Sequence, residues 1–290
     1  MDRVLEYICE EEQAGCRIGD FLRGKGISRA VVIHLKRTEN GILKNGGWAY
    51  VGQTLQPGDR VTVRICETEN SEKILPVELP LEIVYEDEDI LVVNKPADMP
   101  IHPSIHNYEN TLANAVMWYY RQQGVHFVYR CINRLDRDTT GLLIIAKNML
   151  SGARLSDMVK KREIHREYLA IAQGEVPQEG TIDAPIARKG DSVIERCVDF
   201  ENGERAVTHF RREEYRNGYS LVRLKLETGR THQIRVHMKY IGHPLTGDYL
   251  YNPDYRILNH QALHSCRLEF AHPVTGEMMC FTAEPPWQLP

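Results

Sequence analysis

No run of apolar residues in the 290-residue chain approaches the ~20 needed to span a bilayer. The stretch Leu142 to Ala146, the most uniformly aliphatic, ends after five residues. The start, Met1-Asp2-Arg3-Val4-Leu5-Glu6-Tyr7, lacks the charged, apolar and small-residue order of a secretory signal. Seven cysteines (9, 16, 66, 131, 197, 266 and 280) are scattered, and no two form C-x-x-C. That argues against a disulfide framework and against a zinc ribbon, and fits reduced thiols in the cytoplasm. Metal-ligand spacing is missing as well. His232 and His237 do not have zincin spacing, and His260 and His264 have no acidic residue between them. No metal or other cofactor is expected. Positive charge is also short: the net charge is −4, which taken alone argues against a nucleic-acid partner.

The distribution of charge qualifies that last exclusion. Between Arg205 and His243 stand nine basic residues and three acidic ones, Glu213, Glu214 and Glu227, a local balance of +6. The opposite bias sits in Glu86-Asp87-Glu88-Asp89. A weakly acidic protein with one basic segment can still offer a face to phosphates. A hydrophobic content of 42% with 26% charged residues is ordinary for a soluble globular chain, long enough for one large domain and one small one.

Residues 1–66 read as the small unit. Ile18-Gly19-Asp20-Phe21-Leu22 and Ser28 to Leu35 have short helical character, and Gly41 to Val63 is rich in turns and strand signals, so a compact α+β module is expected. Residues 67–80, polar and charged with Pro76 and Pro80, read as a linker without packed structure. Residues 81–290 form the large domain. It opens on a hairpin, Leu81 to Tyr85 and Ile90 to Pro96, around the acidic turn. Thr111 caps a helix to Gln123 that Gly124 stops, and Ser151 caps another ending in Lys160-Lys161-Arg162, cations suited to the helix dipole.

Three stretches carry possible chemistry. In Asn133-Arg134-Leu135-Asp136-Arg137-Asp138-Thr139-Thr140-Gly141, a polar loop sets the carboxylate Asp136 between two arginines and runs into the buried strand Leu142 to Ala146. Tyr168 begins a later strand. In Thr228-Gly229-Arg230-Thr231-His232-Gln233-Ile234-Arg235-Val236-His237-Met238, the residues Ile234, Val236 and Met238 alternate with Gln233, Arg235 and His237, which predicts a strand with one apolar and one donor-rich face.

Together these strings resemble the RluA-type pseudouridine synthases, whose signature is usually His-Arg-Leu-Asp, a short spacer, then Thr-Ser-Gly-Leu-Leu. Asn94-Lys95-Pro96, Tyr168-Leu169-Ala170, the string around Arg235, and Gly242 to Asp248 follow the family in order, so the resemblance covers residues 81 to about 285. Residues 1–66, with Ser28-Arg29 at a helix start and Pro57-Gly58-Asp59, resemble the alpha-L RNA-binding motif often found ahead of these enzymes. The family's fold is α+β: a mixed, mainly antiparallel sheet with flanking helices and a central cleft.

What the resemblance implies is an isomerase of uridines in structured RNA, large-subunit rRNA in preference to tRNA, acting as a monomer. Asp136 would be the catalytic carboxylate and Arg235 its two-pronged partner, since a carboxylate buried alone would protonate. Tyr168 would stack on the base and offer its hydroxyl, and Arg134 would fill the gap left by the flipped base. Lys25, Arg29, Lys36, Arg37 and Lys44 would meet phosphates in the small unit. Lys95 is open to either an active-site or a surface role. Asn133 stands where the family usually has histidine and Thr140 where it has serine. Two other readings compete: an RNA-binding protein without catalysis, and a glycosidase, which would need a second acid near Asp136, with Asp138 the candidate.

Overall fold

The computed structural model describes residues 2–190 and 192–290. Among them, the chain begins with a four-stranded antiparallel sheet of order β1-β4-β2-β3, built from β1 (Asp2–Ile8), β2 (Ile42–Lys44), β3 (Gly47–Trp48) and β4 (Arg60–Cys66). Strand β4 shows the physical cause: Val61, Val63 and Ile65 are buried while Arg60, Thr62 and Arg64 alternate outward. Helices α1 (Ile18–Gly24) and α2 (Arg29–Leu35) cover the apolar face, and Ser28 caps α2 by accepting the Val31 N–H at 3.4 Å.

The large sheet contains nine strands among the described residues. In chain order the elements are β5 (Glu82–Glu86), β6 (Ile90–Lys95), α3 (Leu112–Gln122), β7 (Thr140–Ala146), α4 (Met149–Lys161), β8 (His165–Gln173), β9 (Glu179–Asp183), and the two-stranded pair β10 (Ile186–Arg188) and β11 (Arg196–Val198). They continue with β12 (Val207–Arg216), β13 (Tyr219–Leu226), α5 (Gln233–Tyr240), β14 (Leu263–Ala271) and β15 (Met278–Thr282). The strands lie in the order β5-β6-β7-β14-β8-β13-β12-β9, with β15 added to β14, and the topology is the mainly antiparallel α+β arrangement expected.

One pairing is parallel, β7 with β14, through His264 opposite Thr140 and Ser265 opposite Gly141. Beyond Ser265 the same strand turns its edge to β15. The junction explains a glycine: Gly141 has φ +108°, and a Cβ there would sit 2.4 Å from the Ser265 carbonyl oxygen. All seven residues of β7 are buried, as a strand covered on both faces requires. Leu143 and Ile145 face α3, whereas Leu142, Ile144 and Ala146 face the layer containing Leu155 of α4. Truncating either aliphatic pair would cost about 2–5 kcal/mol per residue, so the strand is a rigid platform for the loop that precedes it.

Thr111 caps α3 as expected, in a reciprocal box with Asn114. Helix α4 starts earlier than the sequence reading placed it. Asn148 is the cap, accepting the Ser151 N–H at 2.9 Å, while the Ser151 hydroxyl is turned to Asp89.

A larger correction concerns residues 226–238. Strand β13 ends at Leu226, and Gln233 to Tyr240 is helical, not extended. His232 adopts a left-handed conformation, φ +58°, and its carbonyl accepts the Val236 N–H that opens the helix. The alternation misled because every residue from Gln233 to Met238 is buried, polar ones included. Ile234 and Met238, four apart, pack on one core while Val236 packs on another.

Residues 67–80 form no helix or strand, but they are packed along the large domain. Asn70 and Ser71 side chains accept the N–H groups of Phe127 and Tyr129 at 2.8 and 3.0 Å, and Asn114 bonds both Leu75 and Val77. Ile74 and Leu79 pack against the main core. The first unit is docked as well: Leu150 of α4 belongs to its core, Arg3 pairs with Asp89, and Arg154 bonds the Lys25 carbonyl.

Candidate active site

The loop before β7 is held at several points, and each of them bears on the position of Asp136. Asn133 is buried; its Oδ1 accepts the Ile144 N–H at 2.9 Å and its Nδ2 donates to the Leu142 carbonyl. The residue that departs from the family pattern therefore stitches the loop to the strand with a neutral amide. Lys95 resolves to the interior: its ammonium donates to the carbonyls of Arg137 at 2.7 Å and Pro96 at 2.6 Å. Burial pushes its pKa down to about 7, against the attraction of Asp138 and Asp136. Gln261 donates to the Thr139 hydroxyl at 2.6 Å, and the Thr139 N–H closes a turn onto the Asp136 carbonyl.

At the tip of this loop the Asp136 carboxylate accepts one hydrogen bond, from Arg235 Nη1 to Oδ2 at 2.8 Å. Its Oδ1 accepts from no described residue. The two-pronged contact of Arg235 goes elsewhere: Nε and Nη2 donate to Asp248 at 2.7 and 2.8 Å. This corrects the expectation that Arg235 forks onto Asp136. Both Arg235 and Asp248 are fully buried, and the Asp248 carboxylate also accepts the N–H groups of Leu250 and Tyr251. Burial works against the Arg235 cation, but Asp248 and Asp136 outweigh it and raise its pKa. The guanidinium lies 5.0 and 5.4 Å from the ring centres of Tyr251 and Tyr249.

His232 completes the cluster. Its Nε2 is 3.9 Å from Asp136 Oδ2, and its Nδ1 bonds the Tyr251 hydroxyl at 2.9 Å. Burial chiefly, with the Arg235 and Arg196 cations, lowers the His232 pKa, so the ring is neutral near pH 7. Asp248, His232 and Tyr251 were assigned no role by sequence reasoning. The sequence signals were that His232 lies in the string around Arg235 and that Asp248 closes the stretch Gly242 to Asp248, where Gly247, at φ +72°, has room for no Cβ beside the His260 carbonyl.

These groups open onto a cleft of about 920 Å³ whose lining includes Arg134, Asp136, Tyr168, His232, Ile234 and Arg235. Tyr168 is buried in β8, opposite Ser265 on one side and Leu224 on the other. Arg134 is exposed and pairs with no described residue. Four predicted residues, Asp136, Arg134, Tyr168 and Arg235, therefore converge. The five basic residues of the first unit do not line this cleft. Arg29, Lys36 and Arg37 are exposed, Lys25 lies over the Phe21 ring at 5.3 Å, and Lys44 is engaged by Asp59 at 2.7 Å. Asp138 is buried against Arg137 at 3.0 Å and lies outside the cleft lining, so it gives Asp136 no second acid for glycoside hydrolysis.

Asp87, Asp89 and His272 bring possible metal-ligand atoms within 4.8 Å of one another, but donors already occupy both carboxylates. Asp87 accepts from Tyr85 and two backbone N–H groups, and Asp89 from Arg3, Asn148 and Ser151. No helix among the described residues is long and apolar enough to cross a membrane.

A mainly antiparallel α+β sheet with an arginine-held aspartate in a basic cleft defines a class, and comparison with known proteins gives it a name. Residues 89–240 match the family model described as RNA pseudouridylate synthase, and the chain belongs to that family; it is an RNA pseudouridine synthase. It is 42% identical over 265 residues to the uncharacterized RNA pseudouridine synthase YjbO of Bacillus subtilis, covering 91% of this chain and 93% of that protein. Identity to the ribosomal large subunit pseudouridine synthase D of Haemophilus influenzae is 43% over 239 residues, 77% of this chain and 72% of that one. Among solved structures, human RNA pseudouridylate synthase domain containing 1 superposes with a TM-score of 0.62 at 28% identity, covering 72% of this chain and 85% of that one.

Proposed function

We propose that the cleft takes a uridine out of structured RNA, large-subunit ribosomal RNA in preference to tRNA, and isomerises it with Asp136 as the catalytic carboxylate. The observation that carries the reading is the asymmetric hold on Asp136: Oδ2 is bound by a buried arginine while Oδ1 is left free of donors. A carboxylate so held is fixed by a charge-assisted bond in a partly enclosed site and still presents an oxygen to the ribose. Attack on the sugar carbon and removal of the neighbouring ring proton both ask for that oxygen, and both break the same base–sugar bond.

Arg134, exposed at the mouth and unpaired, fills the stack that the base vacates. Tyr168 presents its ring to the flipped base and its hydroxyl to the proton that must leave the base carbon once the new carbon–carbon bond has formed. Arg29, Lys36 and Arg37, exposed on the first unit, contact phosphates outside the cleft. The ribosomal preference is supported by the name of the Haemophilus influenzae relative. The protein works in the cytoplasm as a monomer. The test is tritium release from 5-³H-uridine in total RNA, followed by pseudouridine mapping in a strain that lacks the gene. Release from ribosomal RNA and a missing pseudouridine there are expected; sites confined to tRNA would overturn the substrate, and no release at all would overturn the enzyme.

A further inference from the structure

Most arginines near the cleft spend their charge on a neighbouring acid: Arg230 on Glu204, Arg137 on Asp138, Arg223 on Glu213. Five cations in the cleft lining do not: Arg134 on the loop tip, Lys225 near the end of β13, and three that follow one another along α4 and β8. In Lys160 on the last turn of α4, Arg162 just past it, and Arg166 on β8, the side chain has no hydrogen bond or ion pair to any described residue. Arg166 and Tyr168 are two apart on one strand, so they share a face roughly 6–7 Å apart. All three line the cleft, and Arg166 stands on the same strand face as the tyrosine proposed to stack on the base.

A blander account is that Lys160 and Arg162 only complement the dipole of α4. Two facts weigh against it. Lys161, in the same turn, is paired with Asp157 at 2.8 Å, so the helix end already has a cation with its own acid. Arg162 also occupies the left-handed cap position, φ 62° and ψ 32°, which glycine takes freely and a side chain takes at a cost. An arginine there is explained by what its guanidinium meets in the cleft.

We infer that Lys160, Arg162 and Arg166 are a phosphate track, holding the ribose–phosphate backbone of the RNA strand that flanks the target uridine. Guanidinium forks suit phosphate oxygens, and unpaired cations can be neutralised without first breaking an ion pair. The assignment rests on the reading that Asp136 acts on RNA, and it names where that RNA lies.

The test is the salt dependence of binding to fluorescein-labelled dodecauridylate between 50 and 300 mM KCl. Each contact with a single strand contributes about 0.7 to the slope of log K against log salt, so Lys160→Gln/Arg162→Gly/Arg166→Gln should flatten it by about 2. Arg162→Gly alone should flatten it by about 0.7 while its thermal midpoint stays at or above that of the parent protein. Lys161→Gln, an equal loss of charge one residue away, should leave the slope unchanged. An unchanged slope in the triple variant overturns the track, as does a Lys161→Gln effect equal to that of Arg162→Gly, or failure of the parent protein to bind the strand. Tritium release from total RNA by the parent protein keeps the two readings apart: activity with an unaltered slope removes the track alone, and absent activity removes the enzyme reading.

Discussion

Arg235 gives Asp248 two hydrogen bonds and Asp136 one. The fork fixes the plane of the guanidinium, and the remaining Nη1 then fixes Asp136 Oδ2 without enclosing Oδ1. In this arrangement Asp248 positions the arginine, and the arginine positions the carboxylate proposed as the catalytic group.

Two substitutions separate charge from geometry. Arg235→Lys retains one positive charge but cannot bridge two carboxylates with fixed angles. Asp248→Asn retains size and weakens the anchor, so the arginine is free to fork onto Asp136 and engage Oδ1. Each should lower the single-turnover rate by on the order of 10²-fold, about 2.7 kcal/mol, because small misplacement of a reacting group is worth that much. Asp136→Asn should remove turnover altogether. Near-normal rates in Asp248→Asn, in protein that is folded by circular dichroism, would show that the fork has no part in positioning.

Lys95 makes a prediction about stability. Its pKa falls to about 7 in the folded protein from an ordinary value of 10.5, because it is buried. Between those values the unfolded chain binds the extra proton, so stability rises with pH across that window and is lost as pH falls toward 7. The slope contributed by one such group is on the order of 1 kcal/mol per pH unit. Denaturant unfolding from pH 7 to 9.5 should show the rise in the parent protein and a flatter profile in Lys95→Met. That variant should also be less stable at pH 9, since the Arg137 and Pro96 carbonyls lose their donor. Parallel profiles in the two proteins would rule out the lysine as the source.

The sequence made the scaffold legible where a local signal had a single meaning. The strand signals up to Val63, the Thr111 cap and Gly124 stop of α3, and the hairpin from Leu81 to Pro96 each had one reading, and the structure keeps them. The signal failed where burial was complete on all sides. Around Arg235 a helix buries glutamine, arginine and histidine beside isoleucine and methionine, and alternation carried no facial information. The site was half legible for a related reason. Asp136, Tyr168 and Arg235 lie in strings that resemble a family, but the asymmetric hold depends on Asp248, thirteen residues beyond Arg235, and on the backbone N–H groups around it. No periodicity announces a contact between a helix and the loop after it. Likewise nothing in Glu67 to Pro80 distinguishes a free tether from a strap whose polar side chains bond a neighbouring backbone.

That strap alters what truncation should do. Removing residues 1–66 exposes Leu150, Met149 and Ala153 of α4, which pack on the first unit's core, and leaves Asp89 without Arg3. Removing residues 1–80 also strips Ile74 and Leu79 from the main core and leaves the Phe127 and Tyr129 N–H groups without acceptors. A chain starting at residue 67 should therefore fold with a modestly lower thermal midpoint. A chain starting at residue 81 should fall further, by roughly 2–5 kcal/mol for the unpaired groups and lost apolar contacts. Equal midpoints for the two would mean that the strap contributes nothing to the large domain.

Tyr168 and Arg134 line the same cleft, but the roles proposed for them belong to different steps, so their variants should separate. Arg134 is exposed, unpaired and carried on the loop tip, so it can enter the duplex as the base leaves. Unstacking costs a few kcal/mol, and Arg134→Ala should therefore impair reaction with a structured hairpin far more than with a flexible loop containing the same uridine. Tyr168 is buried in β8 between Ser265 and Leu224 and cannot follow the RNA. Tyr168→Phe keeps the stacking face and removes the hydroxyl, so it should bind and extrude the uridine yet form product on the order of 10²-fold more slowly if proton transfer is its task. A fluorescent base analogue beside the target reports extrusion, and tritium release reports product, in the same stopped-flow series. Loss of the extrusion signal in Tyr168→Phe, or normal extrusion without product in Arg134→Ala, would exchange the two assignments.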